Sequence, residues 1–197
     1  VNDDFEDLDL EPLDRAPLLA TIALTALAFW GAAQLWLALG PVQRWPVLWT
    51  WTAGAIGVGL GIGLTALSWA VACLWPGYRR STYAYLNWLM PSLRPWDALW
   101  VGLLPGASEE LFFRGVMFPG LGADWLALMG SSICFGWLHL AGMKHWPYAL
   151  WAGVTGAILC GAAWLSGNLL VPTLAHITTN ALAVLIWHYR RSTRPPA

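Results

Sequence analysis

The chain has 197 residues, 58% hydrophobic and only 11% charged, and its formal net charge is −1. Soluble domains carry about 25% charged residues, so an ordinary water-soluble globule is excluded, and no positive field is present to draw nucleic acid. The composition is that of an integral, all-α polytopic membrane helix bundle.

In chain order, the first stretch differs from everything after it. VNDDFEDLDLEPLDR holds seven of the eleven acids, and residues 1–17 are expected to form an acidic flexible tail. Six apolar segments follow, at 18–39, 47–75, 98–118, 125–143, 147–165 and 169–188. Each reaches the ~17–25 residues that cross ~30 Å of hydrocarbon as a helix. They are read as a single transmembrane domain, 18–188, followed by a basic tail, 189–197. Between the second and third segments, YRRSTYAYLNWLMPSLRP (78–95) has too little apolar length to span and is expected to lie along the interface.

Small residues are expected where helix backbones pack closely. The second segment carries Gly57, Gly59, Gly61 and Gly63, and the fifth carries Gly153, Ala157 and Gly161. Many of the 16 tryptophans, among them Trp45, Trp75, Trp125 and Trp164, fall near segment ends, as interfacial belts do. Cys73, Cys134 and Cys160 lack metal-binding spacing and are read as small buried hydrophobes. Six spans gather Arg15, Arg79, Arg80, Arg94, Lys144, Arg190, Arg191 and Arg194 on one side, with Arg44 opposite. That asymmetry predicts cytoplasmic termini. The expected location is a prokaryotic cell membrane or an internal membrane.

Beyond the tail the only acids are Asp97, Glu109, Glu110 and Asp124, and only the two glutamates fall within a span. An ionisable group at that depth costs about 2.5–3.5 kcal/mol on insertion scales and marks a functional site by default. Glu110 and Arg114 stand at i and i+4, acid first, the favourable order for a same-face ion pair. Glu109 is rotated by about 100° from Glu110. The expectation is that Arg114 neutralises Glu110 while Glu109 faces an interior cavity as a general base. Pro105 and Gly106 are expected to break the span and admit water.

Two more polar pairs lie in apolar surroundings. FGWLH places Phe135 and His139 one turn apart, and HITTN does so for His176 and Asn180. Together these residues can build a hydrolytic centre. Glu109 would take a proton from water, His139 would hold that water or the developing charge, and His176 with Asn180 would donate to an oxyanion. Glu109, His139 and His176 could instead ligate one zinc ion, so the cofactor is either none or Zn²⁺.

Glu-Glu-x-x-x-Arg, then Phe-x-x-x-His, then His-x-x-x-Asn, in that order on separate spans, resembles the CPBP family. That family includes the CAAX prenyl proteases of the Rce1 type, bacteriocin-processing enzymes and abortive-infection proteins. Residues 96–188 carry the resemblance. It implies an intramembrane endopeptidase acting on a peptide or membrane-protein substrate. Glu109 would be the base, Glu110 would pair with Arg114, and His139, His176 and Asn180 would complete the site. Both glutamate-dependent and metal-dependent chemistry have been described for the family. By depth counting, the two histidines would lie on the order of 10 Å apart along the membrane normal.

Other functions compete. Gly106-Ala107-Ser108 resembles the start of a rhomboid serine motif, but Glu109 replaces the required glycine and the histidine element follows rather than precedes it. An ion-coupled carrier would also use intramembrane Glu and His. A membrane scaffold of the same fold, with catalysis secondary or lost, is the main alternative to the protease. Oligomeric state is left open.

Overall fold

A computed structural model of the chain describes residues 13–193. Most of the acidic segment, and 194–197 of the basic one, lie outside the described residues. Seven α-helices carry the fold. They are α1 (Arg15–Leu39), α2 (Trp51–Leu74), α3 (Pro76–Leu89), α4 (Ala98–Glu110), α5 (Trp125–Leu138), α6 (Trp146–Ser166) and α7 (Leu170–Ser192). Among the described residues, the helices at Arg15–Leu39, Trp51–Leu74, Met143–Ser166 (α6 with the turn before it) and Leu170–Ser192 are long and apolar enough to cross a membrane.

The third expected span takes an irregular form. α4 runs through Pro105 without a break, then widens into a π-helix over Leu111–Met117 and ends in a last helical turn, Phe118–Gly120. The expected interruption at Pro105 and Gly106 is therefore corrected. Gly106 is a packing residue, because a Cβ there would come within 2.6 Å of the Ile177 side chain. The distortion comes a turn later, around Arg114. π-turns of this kind occur mostly within longer helices and often at functional sites.

The fourth expected span, 125–143, stops as a helix at Leu138. Its 14 residues rise about 21 Å, short of the hydrocarbon thickness. The chain turns there because His139 and Leu140 donate to the carbonyls of Gly136 and Trp137 in tight three-residue closures. Gly142 follows at φ 154°, a conformation that disfavours any side chain.

Close backbone approach sets the packing. Gly57 and Gly61 of α2 face α7, and a Cβ on Gly61 would lie 2.5 Å from the Ala175 carbonyl oxygen. Gly59 and Gly63 face away, with nothing within 4 Å. On α6 it is Gly153 that meets α5, opposite Gly136, whereas Gly161 stands open. Gly61→Ala is expected to destabilise the fold by about 1–3 kcal/mol, the usual cost of overpacking. Thermal unfolding in detergent checks this against Gly63→Ala, which should be near neutral.

Aromatic and polar contacts fix the ends. Several tryptophans are exposed, Trp51 at 96% and Trp49 at 80%. Trp45 and Trp164 instead pack on Phe118, at ring separations of 5.6 and 5.7 Å. Cys160 is buried and Cys134 half-buried, but Cys73 is exposed on α2, against expectation. Asn168 ties the α6–α7 turn to the α1–α2 loop. Its side chain accepts from the Leu48 N–H at 2.9 Å and donates to the Leu48 carbonyl at 2.8 Å.

At the opposite end, Arg15 forks onto fully buried Asp97, with bonds of 2.6 and 2.8 Å. Asp97 also accepts from the Arg94 N–H. The hydrogen bonds from Arg15, which outweigh burial, hold the Asp97 carboxyl below its ordinary value. A depressed folded-state pKa stabilises above the unfolded value and loses that contribution as pH falls through the folded one. Asp97→Asn should therefore melt earlier than wild type at neutral pH. The gap should close below about pH 4, where the unfolded carboxylate protonates. Melting curves against pH test both parts.

α3 lies across this end as an amphipathic helix. Arg79 and Arg80 are exposed, while Tyr78 is buried with its ring 5.5 Å from Trp151 of α6.

Candidate active site

The α4–α7 contact brings the acids to the histidines. Gly102 and Gly106 let α7 approach closely along Ile177, and with the two helices antiparallel, Glu110 comes level with His176. One carboxylate oxygen of Glu110, Oε1, accepts both from Arg114 Nη1 at 2.6 Å and from His176 Nδ1 at 2.8 Å. Arg114 continues the chain of contacts. Its Nη2 donates to the Gly156 carbonyl of α6 at 2.9 Å, and its guanidinium lies over the Phe135 ring at 4.5 Å. Glu110 is 0% exposed and Arg114 1%. A Cβ at position 156 would meet Arg114 Nη2 and the Phe135 ring at 3.2 Å each, which explains a glycine there.

Glu109, next along α4, is 8% exposed, and its Oε2 is buried with no hydrogen-bond partner among the described residues. It lies within electrostatic range of both His139 and His176. A buried carboxylate oxygen without a partner is costly. Glu110 Oε2 is also buried without one, but Glu110 is held through its other oxygen by Arg114 and His176.

Phe135 joins the two histidines. Its ring is 4.5 Å from that of His139 and 5.9 Å from that of His176. One phenyl ring thus contacts both imidazoles. His139 Nδ1 bonds the Phe135 carbonyl at 2.8 Å. A carbonyl only accepts, so Nδ1 carries the proton and Nε2 is left as a lone pair. In His176, an ionised Glu110 likewise calls for the proton on Nδ1. Asn180 is half-buried one turn beyond His176.

Ser108 is not presented as a nucleophile. It is 7% exposed, and its hydroxyl donates to the Leu104 carbonyl of its own helix at 2.7 Å. Zinc does not fit the arrangement either. Among the described residues no three of His, Cys, Asp or Glu converge as ligands, and Phe135 rests against both imidazoles that would have to meet. An open cavity of about 570 Å³ lies elsewhere, between the α1–α2 loop and Gly120, and none of the expected site residues lines it.

Two residues near the centre escaped sequence reasoning. Tyr148 of α6 stands 6.4 Å from the His139 ring and stacks on Tyr85 of α3 at 4.1 Å. The Tyr85 hydroxyl bonds the turn after His139. The only sequence signal was the spacing Tyr148, Ala152, Gly156, which puts Tyr148 on the α6 face that meets Arg114.

A family model described as Type II CAAX prenyl endopeptidase Rce1-like matches residues 91–182. That range contains every motif residue placed above. No curated protein and no solved structure matches the chain.

Proposed function

We propose, from the match of residues 91–182 to the Rce1-like family model, that the chain is a CAAX-protease-like intramembrane endopeptidase of the CPBP family and hydrolyses a peptide bond with water activated by Glu109. The observation that carries this is the division of labour between adjacent acids. Glu110 is committed through Oε1 to Arg114 and His176, whereas Glu109 has a buried Oε2 without a hydrogen-bond partner and interacts electrostatically with His139.

Water would donate one hydrogen to Glu109 and the other to His139 Nε2, turning an oxygen lone pair toward the scissile carbonyl carbon. As the C–O bond forms, Glu109 takes the proton and the carbonyl oxygen becomes an oxyanion. His176 and Asn180 are the donors for that oxygen. With His176 protonated on both nitrogens, its Nε2 can donate while Nδ1 keeps its bond to Glu110, and Glu109, Glu110, Arg114 and His176 then sum to zero charge. When the C–N bond breaks, Glu109 returns its proton to the leaving amine. No step needs a metal.

The substrate class is a peptide or membrane-protein segment. The excess of basic residues at the Arg15, Lys144 and Arg190 end supports cytoplasmic termini, in a prokaryotic cell membrane or an internal one. The test is cleavage of internally quenched peptides, prenylated and not, by protein reconstituted in lipid nanodiscs. Wild type should cleave and Glu109→Gln should not. A fluorophosphonate probe that labels Ser108 and blocks cleavage would overturn the mechanism.

A further inference from the structure

The turn that carries His139 is held from outside the helix that leads into it. α5 ends at Leu138; the His139 and Leu140 N–H groups still bond back to Gly136 and Trp137, but the His139 carbonyl and the Ala141 N–H are met from another helix. The Tyr85 hydroxyl meets both. It donates to the His139 carbonyl and accepts from the Ala141 N–H at 2.8 Å, bracketing the turn with one oxygen. The ring behind it is fixed by its stack on Tyr148, 4.1 Å away and inclined by 24°. Tyr148 in turn flanks the His139 imidazole.

We propose that Tyr85 is a positioning residue for His139, setting the backbone of its turn and thereby the aim of its imidazole into the site. The inference rests on the reading that His139 serves the peptidase centre. It gives the interfacial helix α3 a role in the chemistry, although α3 contributes no group that touches substrate. Burial raises the Tyr85 phenol above its ordinary value, so the hydroxyl stays a donor at physiological pH. Backbone placement matters because a shift on the order of 1 Å in a reacting group can cost about 100-fold in rate.

Tyr85→Phe keeps the ring and its stack but removes both hydrogen bonds. Tyr78→Phe, on the same helix, removes a comparable bond, that between the Tyr78 and Ser68 hydroxyls, and serves as the control for general loosening of α3. The probe is the imidazole ¹⁵N spectrum of histidine-labelled protein in nanodiscs, with His139 assigned by His139→Gln. In wild type and Tyr78→Phe, His139 should show one dominant tautomer, protonated on Nδ1. In Tyr85→Phe its signals should shift toward the tautomer-averaged position while those of His188 stay put. On the quenched peptides, kcat should fall by about 10- to 100-fold with KM little changed. Unchanged His139 signals in Tyr85→Phe, or an equal change in Tyr78→Phe, would overturn the proposal. If wild type cleaves no peptide, the peptidase reading fails, and the ¹⁵N spectra still decide whether Tyr85 positions His139.

Discussion

Glu109→Gln is expected to reduce peptide cleavage by about 10²- to 10⁴-fold, the usual share of a general base, while leaving the protein as stable as wild type. The two halves of this expectation come from one fact. Glu109 Oε2 is buried without a hydrogen-bond partner, so neutralising the carboxylate removes a desolvation cost and breaks no hydrogen bond at that oxygen. The amide retains the size of the acid but cannot accept a proton from water. Cleavage of quenched peptides and thermal unfolding, measured on the same preparation, separate the effects. Lost activity with an unchanged or higher melting temperature is the expected pair of results. A Glu109→Gln protein that cleaves at the wild-type rate would remove Glu109 from the mechanism. One that unfolds would mean that the carboxylate has a structural partner.

What the sequence could reveal depended on the range of each interaction. The Glu110–Arg114 pair was legible because i,i+4 geometry lies within one helix, and it survives the π-helix that begins at Leu111. The second bond to Glu110, from His176, was not legible. It depends on the register of α7 against α4, set by Gly102 and Gly106 meeting Ile177 from 71 or more positions away in the chain. The early end of α5 was hidden for a different reason. Residues 125–143 are mostly apolar, broken only by Ser131, Ser132 and His139, and the turn that stops the helix is stabilised by Tyr85 from another element. Pro105 misled because a proline inside a packed membrane helix need not break it. Composition therefore established the helical bundle and local spacing named the motif residues. Their mutual positions came only from tertiary packing.

The largest expected effect on stability is at Arg114. Arg114→Ala should cost about 3–5 kcal/mol, the range for removing one partner of a buried ion pair, and should reduce folded yield in membranes. The guanidinium has three simultaneous roles, and alanine removes them together. It neutralises Glu110, it satisfies the Gly156 carbonyl, and it covers the Phe135 face. Arg114→Lys should fall between the two. An ammonium keeps the charge but lacks the planar fork that reaches Glu110 and Gly156 at once. Combining Arg114→Met with Glu110→Gln should recover part of the loss, since no uncompensated charge then remains buried. Activity should not return in that double variant, because His176 would have lost the carboxylate that orients its ring. Denaturant or thermal unfolding of the single and double variants gives the coupling energy directly. Additive losses, with no recovery in the double variant, would mean that the Glu110–Arg114 pair is not the unit that holds α4, α6 and α7 together.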